Sequence, residues 1–260
     1  MNRFEGKVVI VTGAGSGIGA GTARRFLQEG AFVTLNGRRK HKLQETIAGF
    51  EAAQSLVHPG DVSDEAYVKR LVKDTVTKFG KLDVLINNAG MAIFGPFAKT
   101  TTKDWRKLMA TDLDGVYFAC REALPHLLKT KGSIINLSSA SGLGGDWGCS
   151  AYNAAKGAVT NFTRSLALEY GSRGVRINAV APSLTSTEAT AFLEKNKAAM
   201  AAFFDRIPIG RAAKPEEVAG VIAFLASEDA VFVNGVILSV DGGLHASNGQ
   251  PNFLALMGQG

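Results

Sequence analysis

The chain has 260 residues, 46% of them hydrophobic and 20% charged, the balance of an ordinary globular protein rather than a disordered one. Its 30 glycines follow no triplet period, which excludes a collagen-like chain. The net charge of +6 is mild and no other basic cluster extends the dense run Arg38 to Lys42, so a small anionic molecule is the expected partner and nucleic acid is not.

Val8 to Val11 is a β-branched run that reads as a buried strand, and Ile18 to Gly30 reads as a helix ended by its glycine. Ala31 to Leu35 is the next strand, Lys40 to Phe50 a helix and Ser55 to His58 a short strand. Asp64 to Phe79 is helical with Ser63 as its expected cap, and Leu82 to Ile86 is a strand. Lys103 to Lys129 is mostly helical, Ser133 to Leu137 a strand, and Tyr152 to Gly171 a helix. Val175 to Val180 is a strand, Pro215 to Ala226 a helix opened by proline, and Val236 to Val240 the last strand. Alternation of this kind predicts an α/β fold, a Rossmann-type doubly wound parallel sheet of about seven strands with helices on both faces. No linker interrupts it, so residues 1–260 are expected to form one domain. Residues 183–210, polar and Ala-rich at their centre, are expected to be a mobile substrate lid, and 244–260 a tail.

The loop Thr12-Gly13-Ala14-Gly15-Ser16-Gly17-Ile18-Gly19 follows the first strand and opens the first helix. Glycines there let backbone N–H groups approach a pyrophosphate, which the helix N-terminus favours. Gly13, Ser16, Gly17, Ile18 and Gly19 are the predicted contacts. No Gly-Lys-Ser/Thr ending follows, so a P-loop nucleotidase is disfavoured. A dinucleotide lacking a 2′-phosphate usually meets an acid after the second strand. Here that strand runs into Leu35-Asn36-Gly37-Arg38-Arg39-Lys40, with no acid before Glu45. Arg38 is placed to hold a 2′-phosphate by paired hydrogen bonds, so NADP(H) is favoured over NAD(H).

A hydride placed on a carbonyl carbon requires a proton on the oxygen. Tyrosine can give one if a nearby cation stabilises its anion. Of the four tyrosines, Tyr152 alone has a lysine four residues on, Lys156, hence on the same helix face. No G-x-S-x-G elbow competes with this chemistry.

The T-G-x-x-x-G-x-G loop, Asn87-Asn88-Ala89-Gly90, Asp61-Val62, Ser139, Tyr152-x-x-x-Lys156 and Pro182 through Thr187 together resemble the short-chain dehydrogenase/reductase family over nearly the whole chain. The resemblance implies that Ser139 positions the carbonyl, Tyr152 is the acid/base, and Lys156 lowers its pKa and holds ribose hydroxyls. It implies cofactor contacts at Asp61, Val62, Asn88, Ala89, Gly90, Pro182 and Thr187. Two positions depart from the pattern. Asp112 stands where the family usually has a relay asparagine, and is read as an altered relay member. Ser183 stands where glycine usually follows Pro182, which puts the local loop geometry in question.

Segments 124–132, 141–148 and 241–251 resemble the acetoin/diacetyl reductase branch, which also carries Asp at the position of Asp112. That branch commonly prefers NAD, against the Arg38 signal. Ser141, Trp147 and Leu184, with Met91, Ile93, Phe94 and Phe192, are candidate walls for a small or medium ketone or diketone. A 3-oxoacyl thioester, a sugar-derived keto acid and a nucleotide-sensing role without turnover are the alternatives. No metal is implied, since Lys156 supplies the cation and the four histidines are scattered. No apolar run approaches the ~18 residues of a membrane span, and residues 1–7 lack a signal-peptide pattern, so a cytoplasmic protein is expected. The family resemblance implies a homotetramer or homodimer.

Overall fold

A computed structural model of the chain describes residues 2–258; Met1, Gln259 and Gly260, which belong to the expected domain and tail, lie outside the described residues. Strands β1 (Val8–Val11), β2 (Phe32–Gly37), β3 (Ser55–Pro59), β4 (Val84–Asn87), β5 (Ser133–Leu137), β6 (Arg176–Pro182) and β7 (Ile237–Val240) build the sheet. Their order is β3-β2-β1-β4-β5-β6-β7 and every pairing is parallel. β1, β4 and β5 are buried throughout, as β-branched and aliphatic runs covered on both faces must be.

The helices are α1 (Gly17–Gln28), α2 (Lys40–Thr46), α3 (Glu65–Phe79), α4 (Thr102–Met109), α5 (Gly115–Thr130) and α6 (Ser150–Tyr170). Beyond β6 follow α7 (Ala191–Glu194), α8 (Lys197–Arg206), α9 (Pro215–Ala226) and α10 (Phe253–Leu256). One apolar layer packs Phe26, Leu27, Leu43, Val218 and Ile222 against the sheet; the other packs Val68, Leu71, Val116, Leu127 and Val159. The chain reverses its strand order between β1 and β4, and ligands of open α/β sheets bind at that crevice, beyond the strands' carboxyl ends.

Several boundaries differ from the sequence expectation for local reasons. The second helix stops at Thr46 rather than near Phe50, because the chain turns through Gly49 at φ 91°. Asp64, not Ser63, caps α3: its carboxylate accepts the Tyr67 N–H, while the Ser63 N–H and hydroxyl donate to Asp61. The expected helix 103–129 is α4 and α5 joined by a π-turn over Ala110–Asp114. Such wide turns cluster at functional sites, and this one carries Asp112. Among the described residues no helix is long and apolar enough to cross a membrane.

Candidate active site

The phosphate loop leaves β1 at Thr12, whose hydroxyl accepts the N–H groups of Asn88 and Ala89, both at 3.0 Å. Asn88 returns the contact, donating its amide to the Thr12 carbonyl at 2.9 Å and the Gly13 carbonyl at 3.2 Å. The ends of β1 and β4 are thereby stitched at the switch point. Gly13 has φ 66°, and a Cβ there would stand 2.7 Å from the Asn88 amide nitrogen. A Cβ on Gly19 would stand 2.2 Å from the Gly13 carbonyl, so loop and helix meet backbone to backbone. The Ser16 side chain makes no cap bond and the first turn of α1 holds no acid, which leaves that turn suited to an anion. These features fit a dinucleotide pyrophosphate.

Arg38 lies just past β2, exposed and without a hydrogen bond or ion pair among the described residues. Asp61 is half-buried, with its carboxylate turned to Ser63. Val62 is buried against Gly115. Pro182 ends β6. Ser183 has no positive φ and donates its hydroxyl to the Asp241 carbonyl, so the backbone there needs no glycine. Thr187 presses its methyl to 2.9 Å from where a Gly17 Cβ would stand.

The chemistry-bearing residues gather beyond β4 and β5. Lys156 and Asp112 are buried, their charged atoms 3.2 Å apart. The lysine also donates to the Leu137 carbonyl at 3.0 Å, and its ammonium stands 5.6 Å from the centre of the Tyr152 ring. Asp112 accepts the Met91 N–H at 2.8 Å through its other oxygen. Burial disfavours both charges. The Asp112 carboxylate outweighs it at Lys156 and holds that ammonium above its ordinary range, whereas burial pushes the Asp112 carboxyl up against the pull of Lys156. Each charge is thus the other's partner, with Gly90 crossing over them: a Cβ on Gly90 would meet Asp112 at 2.8 Å and Lys156 at 3.3 Å.

The neighbouring serines separate by direction. Ser138 turns inward to Thr160 at 2.6 Å, while the Ser139 hydroxyl accepts the Ser141 N–H at 3.2 Å. The Ser141 hydroxyl donates to Asp146. Asn153, a residue that sequence reasoning did not single out, donates to the carbonyls of Ser141 and Gly144, both at 2.8 Å, and pins this loop to α6. Thr12 was likewise visible as a motif letter without a role.

The candidate apolar walls are only partly assembled. Met91, Ile93 and Tyr152 pack together around Leu108, Ala151 and Ala155. Phe94 and Phe192 face each other with ring centres 5.9 Å apart. Leu184 is half-buried, and Trp147 is fully exposed, at the rim of an open pocket that Gly148, Ser150 and Asn153 also line.

A family model described as enoyl-(acyl carrier protein) reductase matches residues 13–245. The chain is 49% identical to a meso-2,3-butanediol dehydrogenase from Serratia marcescens, over 97% of this chain and 100% of the relative. It is 39% identical to a 3-oxoacyl-[acyl-carrier-protein] reductase from Thermotoga maritima, over 93% and 99%. A solved short-chain dehydrogenase/reductase of unknown function from Caenorhabditis elegans, crystallised with cofactor, superposes with a TM-score of 0.85 at 35% identity, covering 95% of this chain and 98% of that one.

Proposed function

The chain belongs to the short-chain dehydrogenase/reductase family, NAD(P)-dependent oxidoreductases acting on CH–OH donors, and on that premise we propose that it reduces small or medium ketones and diketones to secondary alcohols with NADPH, and catalyses the reverse. The observation that carries this reading is the buried Lys156, set between Asp112 and the Tyr152 ring beyond the switch-point strands. Likeness to a 2,3-butanediol dehydrogenase supports ketone and alcohol interconversion. The unpaired Arg38 supports a 2′-phosphate.

Gly13, Ser16, Gly17, Ile18 and Gly19 hold the pyrophosphate, and Arg38 the 2′-phosphate. Asp61 and Val62 flank the adenine, Asn88, Ala89 and Gly90 the ribose beside it, and Pro182 and Thr187 the nicotinamide. A bound reduced nicotinamide supplies the hydride to the carbonyl carbon. Ser139 orients the carbonyl oxygen by hydrogen bonding. Tyr152 gives that oxygen its proton and takes it back in the oxidative direction. Lys156 favours the tyrosinate that results and binds ribose hydroxyls. Asp112 fixes Lys156 in place and completes the proton path. Ser141 and Leu184 border the substrate, while Trp147 reaches it only if a loop movement or a second subunit brings it there.

The reading further takes the protein as one cytoplasmic domain with a lid at 183–210 and a tail at 244–260. It takes the assembly as a homotetramer or homodimer, which the exposed Tyr117 on α5 and Leu168 on α6 support. A second reading, reduction of a 3-oxoacyl thioester, is supported by the Thermotoga maritima relative. Initial rates with NADPH and NADH on diacetyl, acetoin, a bulkier ketone and a 3-oxoacyl thioester decide between them. The proposal expects fastest turnover with NADPH on diacetyl. NADH preference would remove the phosphate role of Arg38, and turnover of the thioester alone would remove the small-ketone reading.

A further inference from the structure

Glu188 follows Thr187 on the segment beyond β6. Its carboxylate takes the Arg39 guanidinium at 2.8 Å and the Lys42 ammonium at 3.2 Å. Arg39 immediately precedes α2 and sits beside Arg38. The Lys42 Cβ lies 3.1 Å from where a Gly15 Cβ would stand, so this side chain rises against the phosphate loop. Thr187 rests on Gly17 of the same loop. Residues 187 and 188 therefore cross over the phosphate loop, from Gly17 to the first turn of α2, and two ion pairs fasten them there. The side chains of Arg39, Glu188 and Lys42 retain 52%, 51% and 27% of their exposure, so the fastening is cheap to break.

We propose that Glu188 is an acidic latch that sets cofactor choice: it closes the lid segment over the phosphate loop through Arg39 and Lys42, and a 2′-phosphate displaces it. The inference rests on the reading of this loop and Arg38 as the dinucleotide site. A phosphate monoester carries about −1.5 to −2 charge near neutrality and draws on the same guanidinium and ammonium groups. Carboxylate and phosphate cannot both use them without repelling each other. A dinucleotide lacking the 2′-phosphate leaves the latch closed, whereas NADP(H) must open it. Glu188 thus tempers the preference that Arg38 creates, and is a specificity-determining residue that touches no reacting atom.

The test measures binding of adenosine 2′,5′-bisphosphate and of 5′-AMP, which differ only in the 2′-phosphate, by calorimetry to the full chain, wild type, E188Q and E188D, with hydrogen exchange of residues 185–206. E188Q is expected to tighten the 2′,5′-bisphosphate by roughly three- to tenfold, the scale of one or two exposed ion pairs, and to change 5′-AMP by less than about twofold. E188D, which keeps the charge, stays near the wild-type ratio. In the wild type the 2′,5′-bisphosphate raises exchange across the segment and 5′-AMP does not. An unchanged ratio in E188Q, equal tightening of both nucleotides, or exchange indifferent to the 2′-phosphate would each overturn the latch. The wild-type preference reports separately on Arg38: a wild type favouring 5′-AMP sinks that assignment, while the E188Q shift in ratio still decides the latch.

Discussion

Asp112 and Lys156 form a pair whose worth lies in what each would cost alone. Two buried charges 3.2 Å apart gain little net stability, but removing one leaves the other stranded. Asp112→Asn keeps an acceptor for the Met91 N–H and removes the counter-charge of Lys156. The substitution is expected to destabilise the fold by about 3 kcal/mol, read by denaturant unfolding. The pH response has a definite sign. In the wild type, Lys156 is held above its ordinary value of 10.5, so it contributes stability that is present below that value and is lost as pH rises through the folded value. In Asp112→Asn the counter-charge is gone and burial, the largest influence, lowers the lysine against the pull of Tyr152 alone, so alkaline unfolding should begin at lower pH than in the wild type. An unmoved alkaline limb would show that the pair does not hold the lysine charged. At this scale the sequence was informative wherever spacing encodes a shared face, as for Tyr152 and Lys156. It was uninformative where function depends on direction: nothing in the string Ser138-Ser139 says that one hydroxyl turns to Thr160 and the other away. The roles of Thr12 and Asn153 escaped notice because their work is done on distant carbonyls and N–H groups, which leave no local pattern.

The phosphate loop is where an element depends on a missing side chain. Gly19→Ala places a methyl 2.2 Å from the Gly13 carbonyl, a contact that forces α1 off the loop. The expected result is a loss of at least about tenfold in dinucleotide affinity by fluorescence titration, with the far-ultraviolet circular dichroism of the sheet retained. Unchanged affinity would contradict the close loop–helix packing. The end of the same helix offers a second test. Glu29 is buried and accepts the Arg3 guanidinium at 2.6 and 2.8 Å, with Arg25 one turn back. Burial would raise this carboxyl, but the two arginines outweigh it and hold it below its ordinary 4.5. Its contribution is therefore present above about pH 4.5 and lost as pH falls through the lower folded value. Glu29→Gln should cost about 1–3 kcal/mol at pH 7 and flatten the acid limb of the melting temperature. A parallel downward shift at all pH values would point to packing instead. Elements with strong periodicity were legible, while their ends were not. Ser63 and Asp64 both have capping chemistry, and only the turn geometry chose Asp64. The π-turn at Asp112 interrupts no apolar stripe, so the helical pattern ran straight through it.

At the scale of the whole molecule, alternating buried strands and helices left few topologies open, and the parallel order with its reversal between β1 and β4 followed. That order gathers residues from 12 to 188 at one end of the sheet, which is why motifs far apart in sequence form one site. The substrate side was less legible, because it is built from loops whose side chains have no fixed spacing. Trp147 illustrates this: its aromatic bulk suggested a wall, and the loop carries it into solvent. The central claim is that the proton of the reaction passes through Tyr152. Its most direct test is Tyr152→Phe, with reduction of diacetyl by NADPH and nucleotide binding measured side by side. The account predicts NADPH affinity within about threefold of wild type and turnover reduced by at least about 10²-fold, the scale of lost acid–base catalysis. Retained turnover with intact binding would contradict it.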